Sequence, residues 1–399
     1  MKFFRLAVMA AAFIISAAAH AAEAKVVKTN FAAEFFTKWI DSDEYPGAIT
    51  VLYKDGIQEV SCFGWADVEN KVPIGMDQIF MQCSQTKGFC GVTIAILVEE
   101  GKISLDDPVH KYLPEFKNLT VRTKDENGKE VIVPAKNTLT VRMVMNHTGG
   151  LSFEAPSKSK KGWPAIPLRQ AARESATLPL HFEPGTKEKY SNAGIDVGAA
   201  IVEVVTGKPW EVFLKERVFD PLGMNSSTFN PTDEQLADSI RLYSVKIGEK
   251  AQLRLDHPAM PLPHNGPNIH PSAGAGLWTT ANDQLKFYKM LMNLGVGENG
   301  VRIMKEETVK NLLATNTRPA GMSGYSLGLA VNQDGSFGHG GAWGSVCWVN
   351  WQKKQLSLLV VQVLGGYTLM RNNLARAAQK FFATEIDTSA VDAFTGRME

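Results

Sequence analysis

Strand-forming sequence lies near both ends of this 399-residue chain and helix-forming sequence lies between them, which restricts the fold more than any other feature. Near the start, "AITVLYKDGIQEVSCFGWAD" holds two β-rich runs around Lys54-Asp55-Gly56, a hairpin signal because Asp-Gly accepts positive φ. Before it, "TNFAAEFFTKWIDSD" reads as a helix with Phe31, Phe35 and Ile40 near one face, and the pair Phe35-Phe36 reads as core. From Tyr325 three β runs follow, separated by Asp334-Gly335 and Lys353-Lys354, and then a helix over roughly 367 to 382. Between the ends, residues 84 to 100 place Phe89, Val92, Ile96 and Leu97 at helical spacing, with Gly101 as a stop. "EVVTGKPWEVFLKERVFDPLGM" and "TTANDQLKFYKMLMNLGVG" are also helical, and Asn127-Gly128 marks a small hairpin. The expected fold is α/β (α+β): an antiparallel sheet from both chain ends, flanked by helices, with an inserted mainly helical subdomain. Residues 22–83 and 325–399 would form the sheet part and residues 84–324 the helical part, as one catalytic unit.

Residues 1–21 read as a signal peptide: Lys2 and Arg5, then an apolar run too short to span a bilayer, then small residues at Ala19-His20-Ala21. A secreted or bacterial periplasmic location and no stable membrane insertion are expected. Loss of Lys2 and Arg5 takes the formal charge from +1 to −1, a balance that does not suggest nucleic acid as a partner. Lys158, Lys160 and Lys161 in "PSKSKKGW" read as a solvated loop. Four cysteines, Cys62, Cys83, Cys90 and Cys347, are too few to staple a chain of this size, and the sequence does not choose among their pairings.

The chemistry enters at "FMQCSQTKGF", residues 80 to 89. On a helix, residues three apart share a face, so Lys87 can bring its amine to the Ser84 hydroxyl. The positive end of the helix dipole and apolar neighbours both disfavour the ammonium, which makes Lys87 a candidate base for Ser84. The same helix start offers the Ser84 N–H to an oxyanion. Alone, Ser-x-x-Lys is a weak signal that recurs by chance. Two further stretches give it weight: "EKYSNAG", where Tyr190 supplies a phenol for proton relay and Asn192 an amide for a substrate carbonyl, and "FGHGGAWG", where His339-Gly340-Gly341 would open a strand and let substrate approach the backbone.

With these motifs the sequence resembles the serine β-lactamase and penicillin-binding-protein family, in the class C β-lactamase-related branch that also holds D-amino-acid peptidases and esterases. The resemblance extends through "GKISLDDPVHKYLPEF", "TVRMVMNHTGGL", "EPGTKEKYSNAGIDVGAAIVEVVTGKPWEVFLKERVFDPLGM" and "SAGAGLWTTANDQLKFYKML". It implies Ser84 as the acylated nucleophile, Lys87 and Tyr190 sharing base and acid roles, Asn192 on the substrate amide, and an oxyanion hole from the backbone N–H of Ser84 and Ala342. It implies no metal or cofactor, and as partner a small-molecule ester or amide, or a cell-wall peptide. One departure stands out: the Lys-Thr-Gly of true class C β-lactamases is replaced by His339-Gly340-Gly341, which offers neither a permanent cation nor a hydroxyl to a substrate carboxylate. Esterase or peptidase action is therefore expected ahead of efficient β-lactam hydrolysis.

Rival readings have less behind them. Gly324-Tyr325-Ser326-Leu327-Gly328 matches the Gly-x-Ser-x-Gly elbow of α/β-hydrolases, but its surroundings read as strand and hairpin, which makes Ser326 a strand residue. His257, His264 and His270 fit no standard zinc spacing. His147 and His181 read as structural hydrogen-bonding residues. A non-catalytic acylatable sensor would have no use for the complete Ser84, Lys87, Tyr190 and Asn192 set.

Overall fold

The computed structural model describes residues 25–26, 30–157, 166–254, 268–385 and 392–393. Helix α1 (Ala33–Asp41) leads into strands β1 (Gly47–Lys54) and β2 (Ile57–Asp67). Their connection is Asp55-Gly56, with φ of 48° and 84°, the two-residue turn that the sequence called for. Helix α2 (Thr86–Glu99) follows and ends at Gly101, whose φ is 69°. Strands β3 (Thr120–Lys124) and β4 (Glu130–Pro134) form the hairpin around Asn127-Gly128. Helices α3 (Asn192–Thr206) and α4 (Ala281–Met292) lie in the middle of the chain. Strands β5 (Ala330–Val331), β6 (Phe337–Gly340), β7 (Gly344–Asn350) and β8 (Gln355–Leu364) precede the last helix, α5 (Tyr367–Ala383).

The main sheet runs β5-β6-β7-β8-β1-β2, and these pairings are all antiparallel. β8 lies against β1 from Gln355↔Lys54 to Val360↔Ile49, so the two ends of the chain close one sheet. Side chains alternate across it. Ile49, Val51, Leu358 and Val360 join the core that holds Phe89 of α2 and Phe287 of α4. Ala48, Leu52, Leu359, Val361 and Val363 join Phe36 of α1 and Met370 and Phe381 of α5. In α1 it is Phe36 that is fully buried, with Phe31, Phe35 and Ile40 partly buried beside it.

Two details differ from the sequence expectation. The β run after Asp334-Gly335 splits into β6 and β7, because Gly341 N–H turns back to Ser345 O at 2.7 Å and Gly344 takes φ of 101°. His339 therefore stands one residue before the end of β6 instead of opening a strand. Ser326 is in a buried bend, not a strand: its N–H and Oγ both turn to Leu329 O, at 2.7 and 3.2 Å. Among the described residues no helix is long and apolar enough to cross a membrane. All four cysteines are free; Cys83, Cys90 and Cys347 are buried and Cys62 is exposed.

Candidate active site

Ser84 stands where a short ladder gives way to α2. Phe80 and Met81 pair with Thr279 and Trp278, and Gln82 N–H extends the pairing to Leu277 O at 3.1 Å. Cys83 then takes φ of 51°, rare for a residue with a Cβ, and turns the chain through a 3-10 turn (Cys83–Gln85) into α2. Thr86 Oγ1 secures the turn, donating to Cys83 O at 2.6 Å and accepting Leu277 N–H at 3.2 Å.

One turn along, Lys87 is fully buried. Its Nζ lies 3.2 Å from Ser84 Oγ and 2.6 Å from both Asn192 Oδ1 and Gly274 O. Carbonyl oxygens only accept, so two amine hydrogens are directed at them. The remaining tetrahedral direction faces the Ser84 hydroxyl, and in the neutral amine it is a lone pair. Asn192 opens α3 behind the cap residue Ser191, whose Oγ accepts Gly194 N–H at 2.9 Å. The sequence reading gave the Asn192 amide to substrate; here its Oδ1 receives Lys87 and its Nδ2 donates to Glu154 at 2.7 Å. Asp196, one turn further along α3, holds the loop that carries Gly274: it accepts Gly274 N–H at 3.1 Å and Ser272 Oγ at 3.0 Å, with His270 Nε2 at 3.3 Å.

Tyr190 closes the other side. Its ring lies 4.5 Å from Lys87 Nζ, and burial of the hydroxyl, only partly offset by the Ser84 hydroxyl, pushes its pKa above the ordinary phenol range. Phe153, half exposed, stacks near Tyr190 with ring centroids 6.3 Å apart, so the outer wall of the cleft is aromatic.

His339 belongs to a buried chain of hydrogen bonds whose direction is fixed by its ends. Ser191 N–H can only donate, so His147 Nδ1 accepts at 3.3 Å and His147 Nε2 carries the proton in the neutral ring. Gly340 O can only accept, so His339 Nδ1, at 2.7 Å, is protonated. Tyr325 Oη, 3.1 Å from His147 Nε2 and 3.0 Å from His339 Nε2, accepts from the first and donates to the second. Tyr190 Oη lies 3.5 Å from the same His339 nitrogen. Burial first, then the Lys87 charge, pushes the His339 pKa down to about 3, and the same causes hold His147 well below the usual range. Both rings are neutral at pH 7.

The two glycines after His339 make room for protein, not for substrate. A Cβ at 340 would lie 2.8 Å from Arg371 Nη2, and one at 341 would lie 2.4 Å from Gln82 O. The turn is thereby packed against the residues just before Ser84. Burial pushes the Cys83 thiol up to about 12, against the smaller opposing effect of the Trp343 and Ala342 backbone. The thiol is protonated at neutral pH and is no nucleophile.

The structure thus gathers Ser84, Lys87, Tyr190, Asn192, His339 and the 340–342 turn in one place. His147 is buried and hydrogen bonded as expected, whereas His181 is exposed on the surface. His257, His264, Lys158, Lys160 and Lys161 lie outside the described residues. Sequence reasoning missed Glu154, Asp196, Gly274, Tyr325 and Arg371. Gly274 and Asp196 carried a signal, as parts of "SAGAGLW" and "YSNAGIDVG".

A family model described as Beta-lactamase matches residues 32–379. The chain belongs to the beta-lactamase family. An uncharacterized protein of Mycobacterium tuberculosis is 31% identical to this beta-lactamase-family chain over 277 residues, 68% of each protein. Lovastatin esterase of Penicillium rubens is 28% identical over 279 residues, 65% of each. Among solved structures, simvastatin synthase (LovD) of Aspergillus terreus superposes with a TM-score of 0.73 at 19% identity, covering 89% of this chain and 98% of that one, a likeness of fold.

Proposed function

We propose that this chain is a serine hydrolase that cleaves a small ester or amide through an acyl-enzyme on Ser84, with esters its better substrates. The observation that carries the reading is the placement of Lys87 Nζ, committed to two carbonyl oxygens and facing Ser84 Oγ at 3.2 Å. Neutral Lys87 takes the Ser84 proton as Oγ attacks the acyl carbon. The N–H groups of Ser84 and Ala342 receive the oxyanion. Tyr190, whose burial favours phenol over phenolate, gives its proton to the leaving alkoxide and regains one from the Lys87 ammonium. Water then attacks the ester, its proton returns by the same groups, and Ser84 is released.

Substrate preference follows from charge. Arg371, the cation beside the third motif, faces three backbone carbonyls, and His339 is neutral, so the motif does not present a charge to a substrate carboxylate. Phe153 and Tyr190 suit an uncharged, apolar group. The lovastatin esterase relative supports ester chemistry, and the sequence start supports action outside the cytoplasm. The test is a panel of p-nitrophenyl esters, a chromogenic cephalosporin and D-Ala-D-Ala peptides. Short-chain esters should turn over and the cephalosporin should not, and Ser84→Ala should lower ester kcat at least about 10⁴-fold. Ester turnover that survives Ser84→Ala would falsify the assignment.

A further inference from the structure

The peptide that supplies the second oxyanion donor is gripped from behind. Arg371, near the start of α5, donates Nη2–H to Gly341 O at 2.6 Å and Ser345 O at 3.0 Å, and Nε–H to Gly344 O at 3.0 Å. Its guanidinium rests 4.7 Å from the Tyr367 ring centroid. Gly341 O and the Ala342 N–H are the two ends of one trans peptide group and point in opposite directions. The oxygen meets the guanidinium and the N–H points away from it, in a turn packed on the residues just before Ser84, where a Cβ at Gly341 would lie 2.4 Å from Gln82 O.

We propose that Arg371 is a positioning residue for the oxyanion hole. Its planar fork, bound to three carbonyls of the turn, fixes the plane of the 341–342 peptide so that the N–H faces the reacting oxygen. Its charge, hydrogen bonded to the carbonyl end, draws electron density from the peptide and makes the N–H a stronger donor. Glycine at 340 is part of the device, since a Cβ there would sit 2.8 to 3.1 Å from guanidinium atoms. The inference rests on the reading of Ala342 as an oxyanion donor.

The experiment compares wild type, Arg371→Met, Arg371→Lys and Ser84→Ala on p-nitrophenyl acetate, and measures inhibition by phenylboronic acid, whose tetrahedral adduct with serine places an oxygen in the same hole. Loss of a whole oxyanion donor costs about 10²- to 10³-fold in kcat, so a misaligned one should cost Arg371→Met about 30-fold. KM should stay within about twofold and boronate affinity should fall by about the factor lost in kcat. Arg371→Lys keeps the charge but cannot span three carbonyls, and should lose about 5- to 10-fold in both quantities. If the methionine variant does not fold, the lysine variant is judged alone by those values. Wild-type kcat, a loss confined to KM, or a kcat loss with boronate affinity intact overturns the inference. If Ser84→Ala abolishes turnover while the Arg371 variants behave as wild type, only the positioning role fails; if Ser84→Ala keeps its turnover, the underlying reading fails as well.

Discussion

His339 shows how a basic type of side chain can stand beside a reaction centre without bringing a charge to it. Its Nδ1–H is spent on Gly340 O and its Nε2 accepts from Tyr325, so the ring is an acceptor facing Tyr190 at 3.5 Å. With its pKa near 3, its protonation does not change between pH 5 and 8. The tempting substitution His339→Lys should accordingly fail to create a β-lactamase. It would bury an ammonium in the site that Lys87 already occupies and remove the acceptor that Tyr325 and Tyr190 share. We expect no gain in cephalosporin hydrolysis and at least about a tenfold loss in ester kcat, read in the same chromogenic assays. Ester activity equal to wild type would show that the acceptor is dispensable.

Among the elements, α2 explains both what the sequence disclosed and what it hid. The apolar spacing of Phe89, Val92, Ile96 and Leu97 and the stop at Gly101 marked the helix, but residues 86 to 97 are buried on all sides, not along one face. What covers the remaining side is the bend around Ser326. A Cβ at Gly91 would lie 1.7 Å from Leu327 O, and one at Gly328, where φ is 77°, would lie 2.1 Å from Lys87 O. Of the two glycines that imitate a hydrolase elbow, Gly324 is there because a Cβ would lie 2.1 Å from Val331 O, and Gly328 because this bend lies against the helix backbone. Such an approach joins residues far apart in sequence and leaves no periodic trace. Arg371 and Tyr325 went unseen for the same reason, since each acts on a partner brought near only by folding. The Ser84, Tyr190 and His339 motifs were readable because local spacing and order carry them. Gly91→Ala should destabilise the protein by about 3 kcal/mol or more, because the clash is with backbone. Gly75→Ala, where nothing lies within 4 Å of the added carbon, should have little effect in the same thermal melts.

For the molecule as a whole, the neutral imidazoles at its centre set a limit in acid. His339 and His147 have depressed pKa values in the folded state, whereas in the unfolded chain each takes up a proton near pH 6.5. Their cost is absent above that pH and grows as pH falls, down to about 3 for His339. At pH 4.5 His339 disfavours the fold by about 2 to 3 kcal/mol relative to pH 7.5, and His147 acts in the same direction. Urea midpoints should therefore fall between those pH values, and His339→Asn should flatten the decline. An identical decline in the variant would remove His339 from the account. The closed sheet has one more consequence, which concerns time. The serine is made early and the turn that would receive the oxyanion is made late, on strands that settle only beside β1. A chain still emerging from the ribosome is thus a hydrolase in name only, kept harmless by its own unfinished end.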